Sequence, residues 1–435
     1  MRPDVIGLIG IAAMLVLLAL RMPIGVAMLL VGAVGVAALN GIPVALATLG
    51  NAPYSYSSGY ELAVIPLFVL MGNCAGVAGM SRELYNAAYA WVGHWRGGLA
   101  SATVMACAGF AAVCGSSVAS AVTMGRVCLP EMERYKYDPR LAAGTVAAGG
   151  TLGILIPPST AFVIYAILTE QSIGRLLLAG FLPGLLLATL FIITIAIWTR
   201  FQPELGPPGP PASWQERART LGQSGPMIGI VAASIGGIYL GVFTPVEAAA
   251  VGAFLCLAYA LWRRSLGGGT LATVLLETVK TTSFVFLILI GAFVFGPFLA
   301  LSGLPDYIAK AVAGLEVPRI VILIALIAIY TVLGMFLEGF SILVLTLPIV
   351  VPIMQALQYD LIWWGVIMVI VLEMGLISPP VGINVFVVKG LVPHVPMGQI
   401  FRGIFPFWIA MLLCICLLVA FPEIALVIPN TMFGR

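Results

Sequence analysis

The sequence predicts an all-α integral membrane protein made of two inverted repeats, each with a re-entrant helical hairpin and a helix broken at a Pro-Pro pair. Three observations predict this fold class. Of the 435 residues, 61% are hydrophobic and only 9% are charged. Apolar runs of about 20 residues, long enough to cross a bilayer core, recur along the whole chain. The same short motifs occur in both halves of the chain at one constant spacing.

The composition requires a lipid environment for most of the surface. Soluble domains carry charged residues at about a quarter of their positions, whereas this chain has a mean hydropathy of +1.13. We predict spans near residues 4–20, 22–40, 61–80, 141–170, 174–199, 224–242, 244–262, 281–302, 361–391 and 400–422. The net charge is +3 and no basic cluster lies among aromatic residues. The lipid bilayer is therefore a predicted partner, and nucleic acid is not.

Two further apolar stretches, residues 98–130 and 318–352, are interrupted near their middle by Gly, Ser or Pro. Each is too long for one straight span and too interrupted for two. A re-entrant helical hairpin fits such a segment when its non-helical tip is buried in protein or lines a cavity. We therefore predict one hairpin in each half of the chain.

Motifs recur between the halves at a single offset. Leu129-Pro130-x-Met132 recurs as Val351-Pro352-x-Met354, Tyr137-Asp138 as Tyr359-Asp360, and the Pro157-Pro158 pair as Pro379-Pro380. Each pair is offset by 222 residues, for example 130 to 352 and 158 to 380. A constant offset indicates an internal duplication. We predict a first repeat over residues 1–200, a Pro-rich cytoplasmic linker over 201–222, and a second repeat over 223–435.

The predicted spans also give the repeats opposite orientations. Each half has five crossings and one hairpin, and an odd number of crossings inverts the second half. Charges agree with this topology, because residues 131–140 carry Arg134, Lys136 and Arg140, whereas 353–362 carry no basic residue. Basic residues mark cytoplasmic loops. Both termini are therefore predicted to be periplasmic.

The first Pro-Pro pair lies inside an apolar segment. Proline has no backbone N–H and clashes with the carbonyl four residues earlier, so Pro157 and Pro158 release the carbonyls of Gly153 and Ile154. An alkali cation is a suitable partner for freed carbonyls at membrane depth. The half-helix that follows the pair directs its positive dipole end at the break, which favours an anion.

By the same arithmetic, the second pair releases the carbonyls of Gly375 and Leu376. A simple proline kink is the alternative explanation for either pair taken alone. Two breaks at equivalent positions of inverted halves instead indicate a binding site near the bilayer midplane.

The predicted hairpin tips carry further candidates. Cys114-Gly115-Ser116-Ser117 interrupts the first hairpin, and the offset places it opposite Phe336-Leu337-Glu338-Gly339. Hydroxyl groups at a tip can bind Na⁺ or a carboxylate, although small residues also favour helix packing. Glu338 and Glu373 lie deepest among the acids of the repeats, where an ionisable group indicates function. We expect Glu338 in a cation site, and leave open a purely structural hydrogen-bonding role for Glu373.

These motifs resemble the large membrane subunit of tripartite ATP-independent periplasmic (TRAP) transporters, over essentially the whole chain. The most specific segments are Gly115-Ser116-Ser117-Val118-Ala119, Leu129-Pro130-Glu131-Met132, Gly153-Ile154-Leu155-Ile156-Pro157-Pro158-Ser159, Phe243-Thr244-Pro245-Val246-Glu247-Ala248-Ala249-Ala250, and Glu373 to Asn384. The resemblance implies an elevator-type secondary transporter of a bacterial inner membrane. It implies a small four-helix membrane subunit and a periplasmic substrate-binding protein as partners, and Na⁺-driven uptake of an organic anion such as a C4-dicarboxylate, a sugar acid or a similar carboxylate.

The resemblance also implies site residues. One Na⁺ site would involve Cys114, Ser116, Gly153, Ile156 and Pro158, and a second Glu338, Gly375, Ser378 and Pro380. The substrate would be bound by Gly115, Ser117, Ser159, Gly382 and Asn384. Cys114 departs from the serine that is common in the family. Because a thiol is a poor Na⁺ ligand, its contribution would come from the backbone carbonyl.

Two other functions stay open. One is a stand-alone Na⁺/anion symporter that needs no binding protein. The other is an intramembrane enzyme or an assembly scaffold. No nucleophile–base pair and no phosphate-binding loop occurs in the sequence, which speaks against an enzyme and against ATP hydrolysis.

Overall fold

A computed structural model describes residues 2–433, and over that range the protein is helical, with no β-strand. The first half contains α1 (Pro3–Ala19), α2 (Ile24–Asn40), α3 (Ile42–Ser57), α4 (Val64–Val77), α5 (Met80–Val92), α6 (Gly98–Cys114), α7 (Ser117–Arg134), α8 (Pro139–Leu155), α9 (Thr160–Thr169) and α10 (Ile173–Phe201). The second half contains α11 (Trp214–Tyr239), α12 (Pro245–Trp262), α13 (Gly268–Ser302), α14 (Leu304–Ala313), α15 (Arg319–Gly334), α16 (Gly339–Ala356), α17 (Leu361–Leu376), α18 (Ile383–Leu391), α19 (Met397–Ala420) and α20 (Glu423–Phe433). The predicted all-α membrane fold class is confirmed.

Many of these helices have the length and apolarity of membrane spans. Within the described part of the chain, seven helices of 18 or more residues qualify, or eight if the bent pair α8 and α9 counts as one span. Five shorter helices of 10–17 residues are also apolar, among them α6 and α15, which begin the two hairpins. Their backbone groups are paired within each helix, as a hydrocarbon environment requires.

The helix boundaries follow the offset seen in the motifs. Helix α7 covers residues 117–134 and α16 covers 339–356, so both ends of this pair differ by 222 residues. In each half a break then separates a longer helix from a shorter one, α8 from α9 and α17 from α18. Helices α8 and α9 are bent by 41° at their break. The duplication therefore extends from the motifs to the secondary structure.

Packing separates an inner group of helices from an outer group. The hairpin helices α6 and α7 pack on α8, α15 and α16 pack on α17, and α19 packs on both α8 and α17. The outer group is built around the pairs α2–α13 and α4–α12, with α11 against α12. The functional candidates of the sequence lie in the inner group.

The predicted linker is longer than the real one. Helix α10 continues to Phe201, and α11 begins at Trp214, inside the predicted range 201–222, because the Ser213 hydroxyl accepts a hydrogen bond from the Glu216 N–H and caps the helix. The remaining segment is held by backbone hydrogen bonds. The Gly97 N–H donates to the Gly206 carbonyl and the Asp138 N–H donates to the Leu205 carbonyl. The linker is therefore a short strap rather than a free tether.

Two helices lie where the sequence indicated only loops. Helix α5 occupies residues 80–92 and packs on α6, while α14 occupies residues 304–313 and packs on α16. Both combine apolar and polar residues, with Arg82 and Glu83 in α5 and Asp306 and Lys310 in α14. Each hairpin thus has an amphipathic helix beside it.

Candidate functional site

The first hairpin turns between α6 and α7. Gly115 adopts a φ of +64°, a backbone conformation that favours glycine. The next residue, Ser116, caps α7, since its hydroxyl accepts a hydrogen bond of 3.4 Å from the Ala119 N–H. The Cys114 thiol donates to the Ser116 carbonyl at 3.7 Å. Three of the predicted site residues therefore form one compact tip.

This tip lies directly against the break between α8 and α9. The Thr160 hydroxyl donates a hydrogen bond of 2.9 Å to the Gly115 carbonyl. A methyl group added to Gly115 would lie 2.9 Å from the Pro158 carbonyl oxygen, and one added to Gly153 would lie 2.6 Å from the Ser116 carbonyl oxygen. The backbones of the tip and of the break are thus in close contact at both glycines, in the region where the sequence predicts the first Na⁺ site.

The other two predicted residues near this break have structural roles. The Ile156 side chain packs against Gly184 of α10. Ser159 is fully buried and caps α9, its hydroxyl accepting a hydrogen bond of 3.2 Å from the Phe162 N–H. Ser159 therefore presents the N-terminus of α9 to the break and uses its own oxygen to do so.

The second hairpin turns at Glu338, which caps α16. Its carboxylate oxygen Oε2 accepts hydrogen bonds from the Ser341 N–H at 3.1 Å and from the Ser341 hydroxyl at 3.3 Å. A negative side chain at a helix N-terminus is stabilised by the helix dipole. Glu338 therefore orders the second tip and brings a carboxylate to it.

The second break differs from the expectation for Gly375. Its carbonyl accepts a hydrogen bond of 2.9 Å from the Ser378 N–H, so it is not released by the prolines, because the chain makes one tight turn before it leaves the helix. The Ser378 hydroxyl donates to the Met374 carbonyl at 2.6 Å and accepts from the Trp408 indole N–H at 3.0 Å. The polar atoms of this segment are already largely paired.

The two breaks also differ in exposure. Pro157 and Pro158 are buried, whereas Pro379 and Pro380 are exposed in the isolated chain. Gly375 lies against α15, where a methyl group would come within 2.5 Å of the Gly334 Cα atom. The second break is therefore closely packed at Gly375 and open at its prolines.

A small cavity joins both tips and both breaks. This tip cavity has a volume of about 70 Å³ and is lined by Ser116, Ser117, Val118, Ile154, Ala161, Glu338, Gly339, Phe340, Val369, Leu372, Glu373, Leu376 and Ile383. About 10–15 Å³ of such space holds one water, so a small hydrated ion fits. Of the predicted Na⁺ and substrate residues, the cavity unites Ser116, Ser117 and Glu338.

Glu373 is the residue for which the sequence left open a place in the site or a structural hydrogen-bonding role. It is 3% exposed, lies beside Ser117 in the tip cavity, and its oxygen Oε2 has no hydrogen-bond partner within the described chain. No lysine, arginine or histidine is among the described residues that line the cavity. The sequence signal was present, since Glu373 is the one acid in the apolar helix α17.

Two predicted substrate residues lie at the start of α18. Gly382 has a φ of +60° and caps this helix. Asn384 is fully buried, and neither its amide nitrogen nor its amide oxygen has a partner among the described residues. Because a buried amide without hydrogen bonds is costly, Asn384 is well suited to meet a ligand. Helix α18 packs against α7 and α8.

The chemistry of this region follows from its charges. The buried Glu373 and the half-buried Glu338 share a cavity that has no basic residue among its described lining, so charge balance favours a bound cation. Two half-helices, α9 and α18, begin at the adjoining breaks and present N–H groups that favour an anion. Broken helices paired across a duplicated, multi-pass membrane fold are the features of a secondary transporter.

The chain belongs to a specific transporter family. The sequence model for "Tripartite ATP-independent periplasmic transporter, DctM component" matches residues 11–424. This match confirms the resemblance drawn from the motifs and identifies a transport permease subunit rather than an enzyme.

Several relatives are similar over most of their length. The chain is 38% identical to the C4-dicarboxylate TRAP transporter large permease protein DctM of Pseudomonas aeruginosa, over 87% of this chain and 88% of that protein. It is 32% identical to the sialic acid TRAP transporter large permease protein SiaM of Vibrio cholerae, over 86% and 87% of the two chains. Identity to the ectoine/5-hydroxyectoine permease UehC of Ruegeria pomeroyi is 30%, over 86% and 87%.

A solved structure has a similar fold. The crystal structure of the Alcanivorax borkumensis YdaH transporter aligns with a TM-score of 0.63 at 16% identity, over 89% of this chain and 90% of that one. At this identity the likeness concerns the fold alone.

Proposed function

We propose that this subunit takes up a small organic anion, such as a C4-dicarboxylate or a sugar acid, together with Na⁺. The tip cavity is the observation that carries the proposal. It places the carboxyl groups of Glu338 and Glu373 between both hairpin tips and both broken helices. A cation bound there would offset their charge and hold the two tips in one arrangement.

Sodium is the proposed cation, because the available ligands are oxygens and hard cations prefer oxygen. Besides the two carboxyl groups, the site offers the Ser116 and Ser117 hydroxyls and the Ser116 carbonyl oxygen that lies beside Gly153. We propose two or more Na⁺ ions, one near the first tip and one near the second. At the second, Glu338 and Glu373 are better placed than the carbonyl of Gly375, which is already hydrogen-bonded.

The anion would bind at the ends of the half-helices. Helices α9 and α18 begin at the breaks, and Asn384 adds an unpaired amide in the first turn of α18. The relatives' names include C4-dicarboxylate, sialic acid and ectoine. Membership of the family therefore does not identify the solute, and we propose that the solute carries a carboxylate group.

The transport step would be an elevator movement. The inner group, with both hairpins and both broken helices, would move across the membrane against the outer group, with the carboxylate solute held at the breaks. Na⁺ binding would order the tips before this movement. The membrane potential contributes about 2.3 kcal/mol per net charge per 100 mV, so a cycle that carries positive charge inward is favoured.

The proposed partners are a small four-helix membrane subunit and a periplasmic substrate-binding protein, in the inner membrane of a bacterium with both termini periplasmic. Support comes from the family, whose relatives are named as large permeases of TRAP transporters.

Reconstitution tests this function. Liposomes that contain the chain and its small subunit should accumulate the cognate acid when the binding protein and an inward Na⁺ gradient are both present. Replacing Na⁺ by K⁺ should abolish uptake. Unchanged uptake in K⁺ would disprove Na⁺ coupling, and uptake by the chain alone would identify a stand-alone symporter.

A further inference from the structure

A second, larger cavity lies on the other side of the first hairpin. It has a volume of about 710 Å³ and lies between α7 and the helices α4, α5, α11 and α12. It begins at Cys114 of the first tip and continues along Ala119, Thr123 and Arg126, which lie on one face of α7. We call it the Arg126 cavity. Its size is within the range of about 300–1,000 Å³ typical of small-molecule sites.

The charged residues of this cavity do not balance. Arg82, Arg126 and Arg263 line it together with a single acid, Glu83. One oxygen of Glu83 forms an ion pair of 2.8 Å with Arg263, and the other accepts a hydrogen bond of 3.3 Å from the Tyr259 hydroxyl. Arg82 and Arg126 form no ion pair with any acid in the described part of the chain. Two guanidinium groups therefore remain available to an anion.

Arg126 lies near the middle of α7, where its side chain is exposed to this cavity. It follows the first residue of α7 by nine positions, or about 13 Å of helix. The equivalent position of the second hairpin, at the 222-residue offset, is Pro348. The duplication therefore does not explain the arginine, whose charge lines the cavity and forms no ion pair in the described part of the chain.

We propose that the Arg126 cavity binds the carboxylate group of the transported solute, with Arg126 and Arg82 as its contacts, next to the tip that holds the ion. The proposal rests on the proposed uptake of an organic anion and names a second place for it. Guanidinium groups bind carboxylates through paired hydrogen bonds. Arg126 lies on α7 of the inner group and Arg82 on α5, which packs on both α6 and α11, so an anion between them would join the first hairpin to the helix beside it.

Charge-selective thiol labelling tests the cavity without knowledge of the natural solute. Thr123→Cys, in a chain with Cys114→Ser and Cys416→Ser, places one reporter on the cavity wall, since the other cysteines are buried. It is labelled with two methanethiosulfonates of similar size, one negatively and one positively charged. With each rate divided by the rate of the same reagent with a free small thiol, the negative reagent should react about tenfold faster or more. Arg126→Gln and Arg82→Gln should each lower this ratio several-fold.

Arg134→Gln is the matched control, because Arg134 lies on the same helix, is exposed, and does not line the cavity. It should leave the ratio unchanged. A ratio near one in the parent, an unchanged ratio in Arg126→Gln, or no labelling of Thr123→Cys would each overturn the proposal. None of these results depends on Na⁺ coupling, so the two proposals can fail separately.

Protection then tests carboxylate binding. In phosphatidylcholine nanodiscs, 50 mM succinate at fixed ionic strength, on the order of a weak subsite's Kd, should slow labelling several-fold. The uncharged succinamide should not slow labelling, and in Arg126→Gln succinate should no longer slow it. Equal effects of succinate and succinamide would refute a carboxylate subsite. Slowing by added phosphatidylglycerol, but not by succinate, would assign the arginines to a lipid headgroup and equally refute it.

Discussion

The hydroxyl of Thr160 donates a hydrogen bond of 2.9 Å to the carbonyl of Gly115, and so joins the first hairpin tip to the first broken helix. Thr160 is in the first turn of α9 and Gly115 is the residue at which the hairpin turns. The two parts of the predicted site are thus fixed to each other by one buried contact. An ion held between them would depend on that contact.

Thr160→Val should loosen the first tip. It leaves the Gly115 carbonyl buried without a partner, at a cost of about 1–3 kcal/mol. Hydrogen exchange should become faster at residues 114–117, and the Na⁺ concentration for half-maximal uptake should rise. Thr194→Val, which removes a hydroxyl bonded only within α10, is the control and should change neither quantity. Unaltered exchange in Thr160→Val would show that the contact does not hold the tip.

Gly153→Ala should separate the tip from the break. The added methyl group would lie 2.5 Å from the Ser120 hydroxyl oxygen and 2.6 Å from the Ser116 carbonyl oxygen. Overpacking of this kind costs about 1–3 kcal/mol, and uptake should be lost. The control is Gly229→Ala in α11, where nothing lies within 4 Å, and uptake should persist there. Normal uptake in Gly153→Ala would contradict a close approach of the two backbones.

Replacing both Pro157 and Pro158 by alanine should restore the missing backbone N–H groups. The carbonyls of Gly153 and Ile154 could then pair within a continuous helix, and uptake should be abolished while the protein stays folded. Size-exclusion chromatography and circular dichroism establish folding, and liposome uptake gives the result. A fully active double variant would show that the break is not needed.

The predicted orientation can be read from two exposed positions. Pro211→Cys in the linker and Glu316→Cys in the segment after α14 are placed in a chain with Cys416→Ser. In intact spheroplasts, an impermeant maleimide should label the cysteine at position 316 only, and that at position 211 after permeabilisation. The opposite pattern would reverse the topology, and labelling of both in intact cells would contradict it altogether.

Much of the fold could be predicted because the membrane imposes a simple pattern. The length of the apolar runs identified the long helices, and the 222-residue offset between the Pro-Pro pairs identified the two breaks. The helices α5 and α14 were missed because they are short and amphipathic, and a span search does not detect such helices. The start of α11 was missed because a Pro-rich and charged segment is expected to be extended. In the structure, Ser213 caps the helix, which begins at Trp214 inside that segment.

The site was predicted less completely, because spacing along the chain does not show which atoms are already paired. The proline rule identified Gly375, but the turn that gives its carbonyl to the Ser378 N–H is a local backbone choice. The sequence is compatible with either an ion-binding role or a structural hydrogen-bonding role for Glu373. Only its position beside Ser117, in the same cavity as Glu338, favours ion binding. The Arg126 cavity depends on helices from distant parts of the chain, which no motif brings together.

The central claim is that the two carboxyl groups of the tip cavity bind Na⁺, and thermal unfolding of the purified chain tests it most directly. A ligand at 100 times its Kd stabilises a protein by about 2.7 kcal/mol. Na⁺ should therefore raise the Tm relative to equal concentrations of K⁺, and Glu373→Gln or Glu338→Gln should remove most of the difference. Glu277→Gln changes an exposed acid that is paired with Lys280, and this variant should retain the difference in Tm between Na⁺ and K⁺. Equal Tm values in Na⁺ and K⁺ for the parent chain, or an undiminished Na⁺ effect in both cavity variants, would contradict the claim.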